Sequence, residues 1–246
     1  MNSVSQRIQA LSPSQTLAMS QKSAELRSQG IDVINMSVGE PDFNTPDHIK
    51  EAAKKAIDDN FTFYTPVGGY LSLRKAICDK MKNENGREFT PDQIVVSNGA
   101  KQSLCNAILS IINPGDEVII PTPAWVSYVE MVKLAEGVNV LVPASVEQDF
   151  KITPAQLEAA ITPKTKMVLL CSPSNPTGSV YTREELKALA DVLAKYPEII
   201  ILSDEIYEHI NYTGEFCSIA EFPEVADRVV TVNGVSKAYA MTGWRI

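Results

Sequence analysis

From residue 94 onward, short apolar runs rich in β-branched residues alternate with longer stretches of helical periodicity. No other feature of the chain limits its fold as much. The runs are residues 94–97, 117–121, 138–142, 166–171, 199–203 and 229–232. Helical stretches at 102–112, 127–134, 154–160 and 183–195 separate several of them. Runs that are apolar throughout suit strands covered on both faces, and parallel strands need a long crossover between them. The pattern therefore predicts an α/β fold with a mostly parallel, doubly wound sheet. In such sheets ligands bind outside the C-terminal ends of the strands.

The chain before this alternation reads differently. Residues 15–29 have helical spacing, with Leu17, Ala18, Ala24 and Leu26 roughly on one side and Gly30 as the stop. Residues 31–38 alternate like a short strand and run into the turn-rich Gly39-Glu40-Pro41-Asp42-Phe43. Thr45-Pro46 opens a helix through Ile57, with proline at a favourable first-turn position. Residues 61–69 form an aromatic loop, and 71–83 an amphipathic helix. The first 45 residues lie outside the alternation and are expected to form an N-terminal arm and part of a smaller domain.

Bulk properties exclude several roles. The 246 residues are 44% hydrophobic and 21% charged, with net charge −8 and the signs interspersed. No basic patch is present, so neither nucleic acid nor an anionic membrane is an expected partner. No apolar run has the length of a signal-peptide core or a bilayer span. Cys78, Cys105, Cys171 and Cys217 are scattered and read as reduced thiols of a cytoplasmic protein. Two histidines, His48 and His209, are too few for a metal site. The sequence stops at Ile246 inside what reads as another strand, so a longer protein is expected, with this chain as its N-terminal part.

The strand ends carry the chemistry. After 94–97 come Gly99-Ala100-Lys101 and a helix, where small residues let backbone N–H groups approach an anion. After 117–121 comes Trp125, which suits either the core or a flat heteroaromatic ring. After 166–171 comes the rigid loop Ser172-Pro173-Ser174-Asn175-Pro176-Thr177-Gly178, which fixes the Asn175 amide in place or simply makes an Asx turn. After 199–203 come Asp204 and Tyr207. A buried acid there needs a partner, either Arg245 or the protonated nitrogen of a ligand ring. After 229–232 comes Ser236-Lys237, with Arg245 eight residues on. A Schiff-base lysine, a carboxylate for a ring nitrogen and a phosphate site together match pyridoxal 5′-phosphate.

These residues also carry a family likeness. Gly39-Glu40-Pro41-Asp42-Phe43, Ser174-Asn175-Pro176-Thr177-Gly178, Ser203-Asp204-Glu205-Ile206-Tyr207, Ser236-Lys237 and Gly243-Trp244-Arg245 occur in the order found in fold-type I pyridoxal-phosphate aminotransferases. The chain resembles the bacterial aspartate aminotransferases of class I. The resemblance implies that residues 46–246 are the cofactor-binding large domain, incomplete at its C-terminal end. It implies a Schiff base at Lys237, which also shuttles a proton, and a pyridinium held protonated by Asp204. Tyr207 and Asn175 bond the ring's phenolic oxygen, and Trp125 stacks on the ring. Gly99, Ala100, Lys101, Ser236 and Arg245 hold the phosphate, joined by Tyr64 from the partner subunit of a homodimer. Gly39, Trp125 and Asn175 face the substrate, an amino acid (aspartate) or a 2-oxo acid (2-oxoglutarate).

The resemblance also implies cis peptides, for which Thr122-Pro123 and Asn175-Pro176 are the candidates. Ser12 stands where prephenate-using relatives carry lysine, which favours aspartate. Ala100 and Ala124 replace a glycine and a tyrosine common in relatives. The arginine that pairs with the substrate α-carboxylate falls beyond residue 246. The alternative within enzymes is another reaction on the same cofactor, such as that of a β-lyase, and the alternative from another class is a cofactor-binding chain without turnover. An incomplete sheet would expose an unpaired apolar edge, an aggregation hazard.

Overall fold

The computed structural model describes residues 4–246. Met1, Asn2 and Ser3, which belong to the stretch read above as lacking a leader, lie outside the described residues. Five strands, β1 (Glu117–Thr122), β2 (Val138–Pro143), β3 (Thr165–Cys171), β4 (Ile200–Asp204) and β5 (Val229–Val232), form one sheet in the order β2-β1-β3-β4-β5. Every pairing is parallel. The helices are α1 (Gln6–Gln9), α2 (Gln15–Ser28), α3 (Asp47–Asp58), α4 (Leu71–Asn85), α5 (Ala100–Ile111), α6 (Val126–Leu134), α7 (Pro154–Ala160) and α8 (Arg183–Leu193). Local sequence sets several boundaries. Thr153 and Thr182 cap α7 and α8 in reciprocal boxes with Gln156 and Glu185, and α4 ends on left-handed Gly86.

Both faces of the central strands β1, β3 and β4 are buried, and the strand period of two divides them. Ile119, Val168, Leu170 and Ile201 pack under α7 and α8 with Leu157, Leu186, Leu189 and Leu193. Val118, Ile120, Met167, Leu169, Leu202 and Val232 pack under α5 and α6 with Leu104, Ile108, Tyr128 and Val132. The register aligns the C-terminal strand ends: Cys171 lies opposite Asp204, and Asp204 opposite Val232. Bonds past the ladder hold this edge, with Ser172 N donating to Asp204 O at 3.3 Å and Glu205 N to Val232 O at 2.8 Å.

Two predicted strands are not formed. Residues 31–38 and 94–97 make no ladder with any described strand. Val96 N donates to Gly68 O at 3.1 Å, but Val95 is 68% exposed. An apolar alternating run needs an adjacent strand to pair with, and none reaches these two. Helix α2 forms as expected, yet its apolar side is open, with Leu17 70% exposed. Among the described residues the first buried one is Met81. No helix among them is long and apolar enough to cross a membrane.

Candidate active site

The sheet edge gathers nearly all the expected residues through one continuous run of contacts. It begins where Gly99, at φ +79°, turns the chain into α5. The positive φ favours glycine here, and a Cβ would come 2.5 Å from Arg245 Nη2 as the guanidinium is placed. Arg245 Nη2 donates to Asn98 O at 3.1 Å, and Nη1 to Thr242 O at 2.8 Å. Ala100 opens α5 at the helix's positive end. Lys101, the next residue, carries its ammonium 4.7 Å over the Trp125 ring. Burial, with Arg245 nearby, lowers the Lys101 pKa.

Trp125 caps the N-terminus of α6, and the ring of Tyr128 meets it edge-on at 5.4 Å. Tyr128 Oη donates to Asp204 Oδ2 at 2.6 Å, while Ile206 N donates to Oδ1 at 3.2 Å. Of the two partners expected for Asp204, Arg245 does not bond it, which leaves the ligand ring nitrogen as the open alternative. A phenol and an amide bond the carboxylate, and Arg245 turns to carbonyls instead. Burial pushes the Asp204 carboxyl up, and these two bonds oppose the rise. Cys171, opposite Asp204 on β3, is pushed up to about 12 by burial.

The turn after β4 continues the run. Tyr207 Oη lies 3.4 Å from Asn175 Nδ2, which donates to it. The Lys237 ammonium lies 5.9 Å from the Tyr207 ring centre and donates to Gly39 O at 2.7 Å. Burial lowers the Lys237 pKa, which raises its neutral fraction. Ser236 beside it is buried. Among the described residues, Lys101, Lys237 and Arg245 have no carboxylate within ion-pair distance. Three cations left this way on one sheet edge make a site for an anionic ligand.

Tyr64 stands apart from this set and is fully exposed. Ser12 is also apart; its backbone N donates to Glu130 Oε2 at 2.8 Å. Both expected cis peptides, Thr122-Pro123 and Asn175-Pro176, are present, with a third at Ser172-Pro173 that was not foreseen. Tyr128 and Glu205 are the site-edge residues that the sequence reading passed over. For Tyr128 a signal existed. With Met131, Val132 and Ala135 it falls at helical i, i+3, i+4, i+7 spacing, which turns a phenol inward where it must find an acceptor.

Glu205 follows from strand alternation. Asp204 shares a face with Leu202, so Glu205 points to the other side of the sheet. There its Oε1 accepts from Ser203 Oγ at 2.8 Å and Ser218 Oγ at 2.6 Å. Its Oε2 is buried without a described partner, and burial pushes the group up to about 7.

Comparisons with known proteins agree with this geometry. The family model "Aminotransferase class I and II" matches residues 31–246. The aspartate/prephenate aminotransferase of Nitrosomonas europaea is 55% identical, over 99% of this chain and 62% of its own length. The aspartate aminotransferase of Pinus pinaster is 50% identical, over 99% of this chain and 50% of its own. The chain thus spans 50% to 62% of these curated relatives. The solved aspartate aminotransferase of Thermus thermophilus with maleate superposes with a TM-score of 0.96 at 46% identity, over all of this chain and 63% of that one. Sheet and sequence match agree: the chain belongs to the class I and II aminotransferase family.

Proposed function

We propose that this chain is the cofactor-binding part of a pyridoxal-phosphate-dependent aminotransferase that moves an amino group from aspartate to a 2-oxo acid, 2-oxoglutarate. One observation carries the proposal: Lys237, Lys101 and Arg245, none of them ion-paired, share an edge with the buried Asp204 carboxylate. That donor set fits pyridoxal phosphate at both ends, with cations and α5 amides for the phosphate and a carboxylate for the ring nitrogen. Aminotransferase names among the relatives favour transfer over β-elimination.

The cofactor, when bound, supplies an aldehyde that condenses with amines and a ring that accepts an electron pair. The protein's part is to bind, orient and move protons. The burial-lowered pKa of Lys237 makes its amine a nucleophile and a general base nearer neutral pH. Asp204 keeps the proton on the ring nitrogen. Tyr207 and Asn175, already within reach of each other, orient the phenolic oxygen. Trp125 covers a ring face. Gly99, Ala100, Lys101, Ser236 and Arg245 hold the phosphate. Gly39 and Asn175, with Trp125, face the substrate.

The exposed Tyr64, beside exposed Phe63 and Val67, serves the site of a second copy in a homodimer. Residues 1–45 are an arm and part of a smaller domain, and 46–246 the large domain; among the described residues none before Met81 is buried, which supports an arm that packs on something else. Four free cysteines fit a reducing compartment, the cytoplasm.

The test is to add pyridoxal phosphate to the purified chain, record the visible absorption band, then reduce with borohydride and map the label. The expected result is a pH-dependent band with the label on Lys237, both lost in Lys237→Ala. Label spread over surface lysines, or a band that survives in Lys237→Ala, would refute the site.

A further inference from the structure

We infer that Tyr128 is a positioning residue that sets Asp204 and Trp125 relative to each other, so that one side chain holds both contacts expected on the cofactor ring. The inference rests on the pyridoxal phosphate site proposed above. Tyr128 is 1% exposed and sits three residues after Trp125, one turn along the same helix face. Its amide donates to Trp125 O at 3.1 Å. Its ring meets Trp125 edge-on, at 5.4 Å and 89°. Its hydroxyl reaches across to β4 and donates to Asp204 Oδ2 at 2.6 Å.

The Ile206 amide takes the other oxygen at 3.2 Å, so both ends of the carboxylate are fixed and its plane with them. Each oxygen keeps a second lone pair for a ring nitrogen. The groups facing Asp204 are Tyr128 from α6, Cys171 from β3, and Tyr207 in the turn after β4; Val232 opposite on β5 is apolar. None of them is a cation. Among the described residues, the Tyr128 hydroxyl is thus the side-chain donor that aims this buried acid and opposes the upward push of burial.

A phenol that served only the core would lose stability on Tyr128→Phe and nothing else. A positioning role moves the cofactor. The experiment titrates wild type and Tyr128→Phe with pyridoxal phosphate from pH 5 to 8, reading the visible band. The expected result for Tyr128→Phe is binding weaker by roughly tenfold or more, the scale of a hydrogen bond to a charged group. Without the hydroxyl the carboxyl takes up a proton at higher pH, and a protonated carboxyl no longer holds the ring proton. The acid limb of binding therefore moves toward neutral pH.

In an Asp204→Asn background, Tyr128→Phe should have little further effect on binding. With Trp125 as the single tryptophan, in Trp244→Phe, Tyr128→Leu should shift its emission in the unliganded chain, while Tyr128→Phe should not. Equal affinity and an unmoved acid limb in Tyr128→Phe overturn the inference, whatever happens to the melting temperature. An equal loss in the Asp204→Asn background does the same. A wild-type chain that takes up no pyridoxal phosphate overturns the cofactor site, and the inference with it. Uptake by wild type with an unchanged Tyr128→Phe overturns the inference alone.

Discussion

The sheet and the segments around it use the same residue types to opposite ends. Strand β3 runs Thr165-Lys166-Met167-Val168-Leu169-Leu170-Cys171, with four consecutive apolar residues buried at 0% to 3% exposure. Residues 31–38 and 94–97 have comparable apolar content, yet Ile34, Met36 and Val95 are exposed. The difference is not propensity. β3 lies between β1 and β4 and under helices on both sides, so each apolar side chain has a place to go. The outlying segments have no strand beside them. An apolar run shows that a segment calls for a partner; where that partner comes from is a matter of topology.

This contrast gives its largest effect in the centre of the sheet. Leu169→Ala opens a cavity in a site with no solvent access. It is expected to cost about 3 to 4 kcal/mol, read from the midpoint of urea unfolding at constant slope. A cost under about 1 kcal/mol would mean that the interior collapses around the gap, and the two regions would then differ less than their burial suggests.

The same contrast explains what could be read from the sequence. Residues 229–232 and 154–160 match β5 and α7 end for end, and the other strands of the sheet differ by a residue or two. Those segments are set by local signals: β-branched runs, capping threonines, and glycine or proline at the ends. The grouping of Asp204, Asn175 and Lys237 at one sheet edge was legible because strand ends converge in any parallel sheet, so they could be placed by counting from strands. Tyr128 was missed because its partner is 76 residues away in sequence, across a helix–sheet contact. Of the two partners weighed for Asp204, Arg245 turns to carbonyls instead, and spacing could not show that a neutral phenol lay nearer. Residues 31–38 and 94–97 were called strands on pattern alone, with no register to test them.

A second test uses a polar group buried by the same packing. Glu205 lies on the α8 side of the sheet, held by Ser203 and Ser218, with one oxygen unpartnered. Burial pushes it up to about 7, above its value in the unfolded chain, with the Ser218 and Ser203 bonds, Glu208 and Lys80 as lesser influences. A carboxyl raised on folding binds its proton more tightly in the native state. Its contribution is therefore favourable at low pH and is lost as pH rises from about 4.5 to about 7. The loss amounts to at most about 3 kcal/mol. Glu205→Gln keeps an oxygen for both hydroxyls and has no charge to bury. Urea unfolding at pH 5, 6, 7 and 8 should show wild type weakening across this window and Glu205→Gln nearly flat. Parallel pH dependence in the two chains would show that water reaches Glu205, and that the sheet's faces are less closed than they look.

The smallest expected effect lies in the outlying segments. Val95→Ser removes an apolar side chain that is 68% exposed and packs in neither core. Exposed substitutions away from caps and networks shift stability by about 0.5 kcal/mol or less. The same change at Val118, fully buried on β1, would leave a hydroxyl in the core beside Leu104 and Ile120. Val95→Ser should therefore unfold within error of wild type, while light scattering at high concentration falls, because an exposed valine on an unpaired extended segment favours association between chains. If Val95→Ser instead costs more than about 1 kcal/mol, and the cost grows with protein concentration, residues 94–97 are already paired in solution with a second copy. Exposure within one chain would then mark a contact between chains, and the outlying segments would obey the same rule as the sheet.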